Sequence, residues 1–232
     1  MALTPACNKK DPAACEQAQQ TIRQALDREQ FQAITPWREY AWRQCEDRTA
    51  LAALDQKIVA RQNEVQARNR AAEARRSETA QLLRVFLSWV AETRAAPDRA
   101  TATPVCDPPA PNDPEKEKSK QRMCTASRTV QGPSGMRPLS VRYFAAEPTA
   151  ARFIINLPDA TSCEELGAIK SKTWQVATTS GSTTARFSCD FTSGPLSGMR
   201  AVLSQAVNAD LHVFNPTYLD KEPQYRAILD SP

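Results

Sequence analysis

From Trp37 to Ala96 the chain contains neither Gly nor Pro. An uninterrupted run of that length, rich in Ala, Arg, Gln and Glu, predicts one long helix, on the order of 90 Å if continuous. A shorter helix precedes it. Asp11 followed by Pro12 is a helix start, because Asp accepts from the first free amides and Pro fits the first turn. Cys15, Ala18, Ile22, Ala25 and Leu26 then mark a narrow apolar face that ends near Glu29. "FQAIT" is expected to turn the chain, and Thr35 with Pro36 repeats the start signal. Two antiparallel helices joined near Ile34 bring Cys15 beside the stretch from Cys45 to Asp55.

Along the long run, apolar residues recur every seventh position at Leu51, Ile58, Val65, Ala72, Thr79 and Phe86. The companion series is Leu54, Arg61, Arg68, Arg75, Leu82 and Trp89, which together reads as a coiled coil. Three arginines in one seam have two readings. Arg61, Arg68 and Arg75 form a basic stripe for acidic groups of a partner, or they lie in a solvated stretch with their stems over Ala and Val. A buried dimer seam would not hold three unpaired charges. Toward the end, Leu82, Leu83, Phe86, Leu87, Trp89 and Val90 cover too wide an arc for a two-helix seam. This arc, with Phe86 and Trp89 at its centre, is expected to dock on the C-terminal half or on a partner.

Composition changes near residue 97. The chain has 17 Pro but only 6 Gly, and most of the prolines follow Ala96. "PDRATATPVCDPPAPNDPEKEKSK" reads as a tether. The charge is mixed, with 30 Lys and Arg against 26 Asp and Glu. No basic run alternates with aromatics, so nucleic acid is not an expected partner.

Seven cysteines and a single His lack the close spacing of a zinc or iron-sulfur site, so no cofactor is expected. Disulfides are the better reading, and they imply an oxidising compartment. Sequential pairing gives Cys15 with Cys45, Cys106 with Cys124, and Cys163 with Cys189. Cys7 is left over. The stretch before it resembles the lipobox of bacterial lipoproteins, in which a cysteine is lipidated after the signal peptide is cleaved. Thr4 and Pro5 depart from that pattern. The resemblance implies a lipid anchor at Cys7. The alternatives are a free thiol or a Cys7 to Cys45 bridge that leaves Cys15 odd. An exported chain implies a removed signal peptide, and the absence of an Asn-X-Ser/Thr sequon favours a bacterial source.

"GPSGMR" at 132–137 is echoed by "GPLSGMR" at 194–200. Each copy has two cysteines upstream and, downstream, a segment ending in Asn and Pro, "FIINLP" and "HVFNP". That shared order predicts two β-α-β halves on one sheet, a ferredoxin-like plait. The first half is a strand at Arg122–Ser127, a helix at Ser134–Ala146 and a strand at Ala151–Leu157. The second is a strand at Thr184–Phe191, a helix at Ser197–Asn208 and a strand at Asp210–Asn215. Between them a short helix, Cys163–Ser171, is capped by Thr161 or Ser162, and the strand "TWQVATT" follows. Ser134 and Ser197 would be helix N-caps rather than an anion site.

The expected organisation is therefore α+β. A tether spans 1–10, a helical hairpin or coiled coil 11–96, a Pro-rich linker 97–121 and a disulfide-bonded plait 122–232. His212 lies two residues from Asp210, on the same side of a strand. No GxSxG elbow supplies a nucleophile, so no catalytic residue is assigned. The expected function is a non-enzymatic interaction or scaffold protein of a bacterial cell envelope, periplasmic or at the surface. Its partners would be envelope proteins, or a second copy through the long helix, and it would meet the membrane only through the anchor. In layout, coiled coil with plait resembles the periplasmic parts of inner-membrane platform proteins of type IV pilus and type II secretion machines, which implies a scaffold role. The chain differs from them in its cysteines and in lacking a transmembrane helix. The alternatives are a secreted ligand-binding or inhibitor domain and, third, a hydrolase using His212.

Overall fold

The structure is a computed structural model that describes residues 10–100, 103–107, 122–177, 183–222 and 225. Cys7 and most of the tether lie outside the described residues. The chain divides into two compact units, residues 1–72 and 73–232. Among the described residues the fold is mixed helix and sheet, with a long helix in the N-terminal half, an eight-stranded antiparallel sheet and three disulfides.

In the first unit, helix α1 spans Pro12–Asp27, and Asp11 Oδ1 accepts from the amides of Ala13 and Ala14 at 2.9 and 3.3 Å. The turn comes earlier than "FQAIT". It is made at Glu29, which has φ of 59°, and Phe31 already opens α2, Phe31–Gln44, with Pro36 inside it. One missing amide is tolerated there because Ile34 and Ala41 are buried in the packing. The Gly- and Pro-free run is also not one helix. Cys45 adopts extended backbone, and Asp47 caps a new start by accepting from the Ala50 amide at 2.8 Å. Helix α3 then runs Arg48–Thr93. Ala18, Ile22 and Ala25 of α1 pack with Ile34, Leu51, Leu54 and Ile58, each large aliphatic contributing about 1.5–3 kcal/mol by burial. The Cys15–Cys45 disulfide ties α1 to the end of α2.

In the second unit the strands are β1 Val105–Cys106, β2 Met123–Gly132, β3 Gly135–Phe144, β4 Glu147–Leu157, β5 Ile169–Ala177, β6 Thr183–Asp190, β7 Arg200–Ser204 and β8 Ala209–Phe214. A short helix, α4, follows at Pro216–Lys221. The sheet order is β1-β2-β3-β4-β8-β7-β6-β5. Strands β1 to β4 form one meander and β5 to β8 another, meeting where β4 pairs with β8.

This arrangement corrects the ferredoxin-like expectation. Ser134–Ala146 and Ser197–Asn208, expected as helices, contain β3 and β7. The physical reason is period-two burial: Leu139, Val141 and Tyr143 face the core under α3 while Ser140 and Arg142 between them do not, and Ala201 and Leu203 do the same. Pro138 also disfavours a helix interior. The Cys163–Ser171 segment is a turn ending at Gly167, with φ of +69°, and β5 begins at Ile169. Its capping pattern is present: Glu165 Oε2 accepts from the Ser162 amide, and Ser162 Oγ accepts from the Glu165 amide.

The two similar loops do occupy matching places, joining the second strand to the third in each meander. Both grip α3. At the first, Ser134 Oγ donates to Glu78, a carboxylate only 2% exposed, and Arg137 lies 3.5 Å from it. A Cβ at Gly132 would stand 3.0 Å from Glu78 Oε1, a tight approach that the buried carboxylate would have to shift to accommodate. At the second, Arg94 donates to the carbonyls of Pro195 and Ser197 at 2.6 and 3.3 Å. The Asn of "HVFNP", Asn215, donates to the carbonyls of Arg94 and Thr149. Between these ends Leu82, Leu83, Phe86, Trp89 and Val90 cover one face of the sheet, with Trp89 edge-on to Phe153 at 5.5 Å.

Candidate binding site on the open sheet face

The alternation that sends Leu211 and Val213 toward α3 sends Asp210, His212 and Phe214 to the opposite face of β8. Val202 of β7 stands opposite His212. Trp174 of β5 stands opposite Arg186 of β6, and Arg186 opposite Ser204 of β7. Tyr225 closes the site from beyond α4. These residues line a cavity of about 390 Å³, a volume within the range of small-molecule sites.

Behind Tyr225 lies Arg152, 6% exposed. Its Nη1 donates to the Tyr225 hydroxyl. Its guanidinium carbon stands 5.1 Å from the Tyr225 ring centre and 5.7 Å from that of Tyr218. Among the described residues no carboxylate pairs with it, and its Nε has no hydrogen-bond partner. Burial, with further contributions from Arg152 and Arg186 against an opposing one from Asp210, pushes the His212 imidazole down to about 4. The ring is therefore neutral at neutral pH. Ser204, His212 and Asp210 share the cavity, yet among the described residues no hydrogen bond joins them. Asp210 instead accepts from Asn156 Nδ2 at 3.3 Å.

No protein-family model, curated protein or solved structure matches this chain.

The other sequence-assigned residues fall elsewhere. The structure closes Cys15–Cys45, Cys106–Cys124 and Cys163–Cys189, the sequential pairing. The second bond joins β1 to β2, and the third ties the turn before β5 to β6. Arg61 and Arg68 both hold Glu29, at 3.0 and 2.5 Å. The hydrogen bond from Arg68 leads the causes that lower the Glu29 carboxyl. Arg75 is exposed. Phe86 and Trp89, expected at a docking surface, are 0% and 2% exposed in the sheet core; what they dock on is this chain's own sheet, so neither is open to another partner. Among the described residues no cluster of three or more His, Cys, Asp or Glu could hold a metal, and no helix is long and apolar enough to cross a membrane.

Sequence reasoning missed Trp174, Arg186, Arg152 and Tyr225. A signal existed for Arg152: it is a charge on the central strand "AARFIIN", where both faces are covered and a charged side chain needs a reason.

Proposed function

We propose that this chain is an exported, non-enzymatic binding protein of a bacterial cell envelope, whose sheet unit holds its ligand on the open face. The observation that carries the reading is the cavity between Trp174, Arg186, His212, Phe214 and Tyr225, backed by a buried arginine that has no acidic partner among the described residues. A polar group so placed costs stability unless it serves something else. Three disulfides point to an oxidising, exported compartment. Within it we assign the periplasm or the cell surface, with Cys7 as the lipid-anchor position. The helical unit and tether then serve as the scaffold that presents the sheet. Binding is favoured over hydrolysis because, among the described residues, His212, though neutral, is not hydrogen-bonded to a nucleophile or to an orienting acid.

A photo-crosslinking side chain placed at Asp210, with a control at the exposed Val59 of α3, tests this in intact envelopes by intact-mass analysis. An adduct from position 210 and none from position 59 is expected. Adducts confined to position 59, or to a third probe at Arg75, would move the interaction surface to the helices. No adduct at any position would overturn the reading.

A further inference from the structure

The reading of the open face as a ligand site leaves the ligand's chemistry open, and the lining residues constrain it. Trp174 and Tyr225 offer aromatic surface over a floor that includes the buried Phe214, with Val202 between β6 and β8. Aromatic walls of this kind accept flat apolar bodies, and they also suit cations. The charges decide between these. Arg186 is exposed at the cavity wall and has no hydrogen bond or ion pair among the described residues. It stands between Trp174 and Ser204 in the strand register, so it reaches a group stacked on Trp174. Arg152 adds a second positive charge behind Tyr225, and the faces of Tyr225 and Tyr218 are already turned to that guanidinium.

Further charged groups stand around the site: Lys172 is two residues from Trp174 on β5, Arg142 of β3 stands opposite Arg152, and Glu222 acts on Tyr218. On β6 and β7, Asp190 and Arg200 are paired with each other at 2.8 Å. On β8, Asp210 is the one carboxylate among the lining residues, and Asn156 of β4 already donates to it. His212 is uncharged. Among the described residues at the cavity itself, Arg186 and Arg152 stand against the single carboxylate of Asp210, a balance that favours an anion. A guanidinium at an aromatic wall matches a planar anion in two ways, by charge-assisted hydrogen bonds and by its flat face.

We infer that the open-face cavity takes a small organic acid, a flat apolar body stacked between Trp174 and Tyr225 with its carboxylate or sulfonate on Arg186. This rests on the binding reading above. Asp210 lies on the other side of His212 from Phe214 along β8, where it repels a second anionic group. The site therefore selects one acid group on an apolar body over a polyanion such as a nucleotide.

Three isosteric probes test the inference by calorimetry on the purified, oxidised chain: 2-naphthoate, 2-naphthalenemethanol and 2-naphthylmethylammonium. The expected order is naphthoate first by about tenfold over the alcohol, the step of one charge-assisted hydrogen bond, with the ammonium weakest. Arg186→Gln should remove that tenfold advantage and leave alcohol binding nearly unchanged. Because Arg186 is exposed, the variant is expected to keep the wild-type fold, which its melting curve checks. Asp210→Asn should strengthen naphthoate binding and so provides a gain that misfolding cannot imitate. Equal binding of acid and alcohol, or an Arg186→Gln variant that keeps the preference, overturns the inference. If binding is equal but lost in Trp174→Ala, the cavity stands as a ligand site and only the assignment to an acid fails. Tighter binding of the ammonium makes the site a cation cage, and no binding by any probe overturns the inference too.

Discussion

Acidification from about pH 7 to about pH 4 should destabilise the sheet unit through His212, by an amount the structure specifies. The imidazole is half-buried on β8, and burial leads the causes that hold it at about 4, against an ordinary value of 6.5. Between these values the unfolded chain binds a proton that the folded chain refuses. Stability therefore rises with pH across this window and falls as the pH drops from about 6.5 to about 4. The gap corresponds to about 3 kcal/mol when fully expressed. Carboxylates such as Glu165, lowered on balance by its bonds from Thr161 and Ser162 although burial opposes them, add their own loss at lower pH. A comparison with His212→Gln removes them, because they are common to both proteins. Urea unfolding of the two proteins at several pH values should show a wild-type-minus-variant difference that moves by about 3 kcal/mol between about pH 7 and about pH 4. A difference that stays flat, or a folded imidazole titrating near 6.5 by NMR, would refute the burial of His212 beside Arg152 and Arg186.

Further outcomes follow from the packing. Trp89→Ala should cost about 3–5 kcal/mol in thermal or urea unfolding, because the ring is buried between α3 and Phe153. Ser134→Ala should cost about 1–3 kcal/mol by leaving the buried Glu78 carboxylate with one partner fewer, whereas Ser197→Ala, which removes no side-chain bond among the described residues, should be close to neutral. Replacing Cys15 and Cys45 together by Ala should lower the stability of the first unit by about 3.5 kcal/mol, from a sequence separation of 30 residues. Arg68→Ala should leave the melting temperature nearly unchanged, since its pair with Glu29 is screened by solvent.

The helices and the disulfides were legible because their signals are local. Asp11 with Pro12, the apolar face of α1 and the spacing of the cysteines each needed only neighbouring residues. The break at Cys45 was hidden, because Asp47 caps a helix without a Gly or Pro to mark it. In the sheet unit, the order of cysteine, loop and Asn-Pro segment located corresponding places in two meanders. The segments after each loop were misread as helices because Ala, Arg and Leu carry helix propensity, and only the period-two burial of Leu139, Val141 and Tyr143 reveals a strand. His212 was singled out as a candidate base, and its neighbours could not be. Trp174, Arg186 and Arg152 join it only through pairings across five strands, which no spacing in the chain encodes.

Whether the open face binds a ligand beside His212 can be read directly, because the chain has only one histidine. Its ring proton can therefore be followed without ambiguity while 2-naphthoate is added. A saturable shift of that signal in the wild type, absent in Trp174→Ala, is the result the structure predicts. A His212 signal that stays still while naphthoate saturates elsewhere on the chain would contradict it.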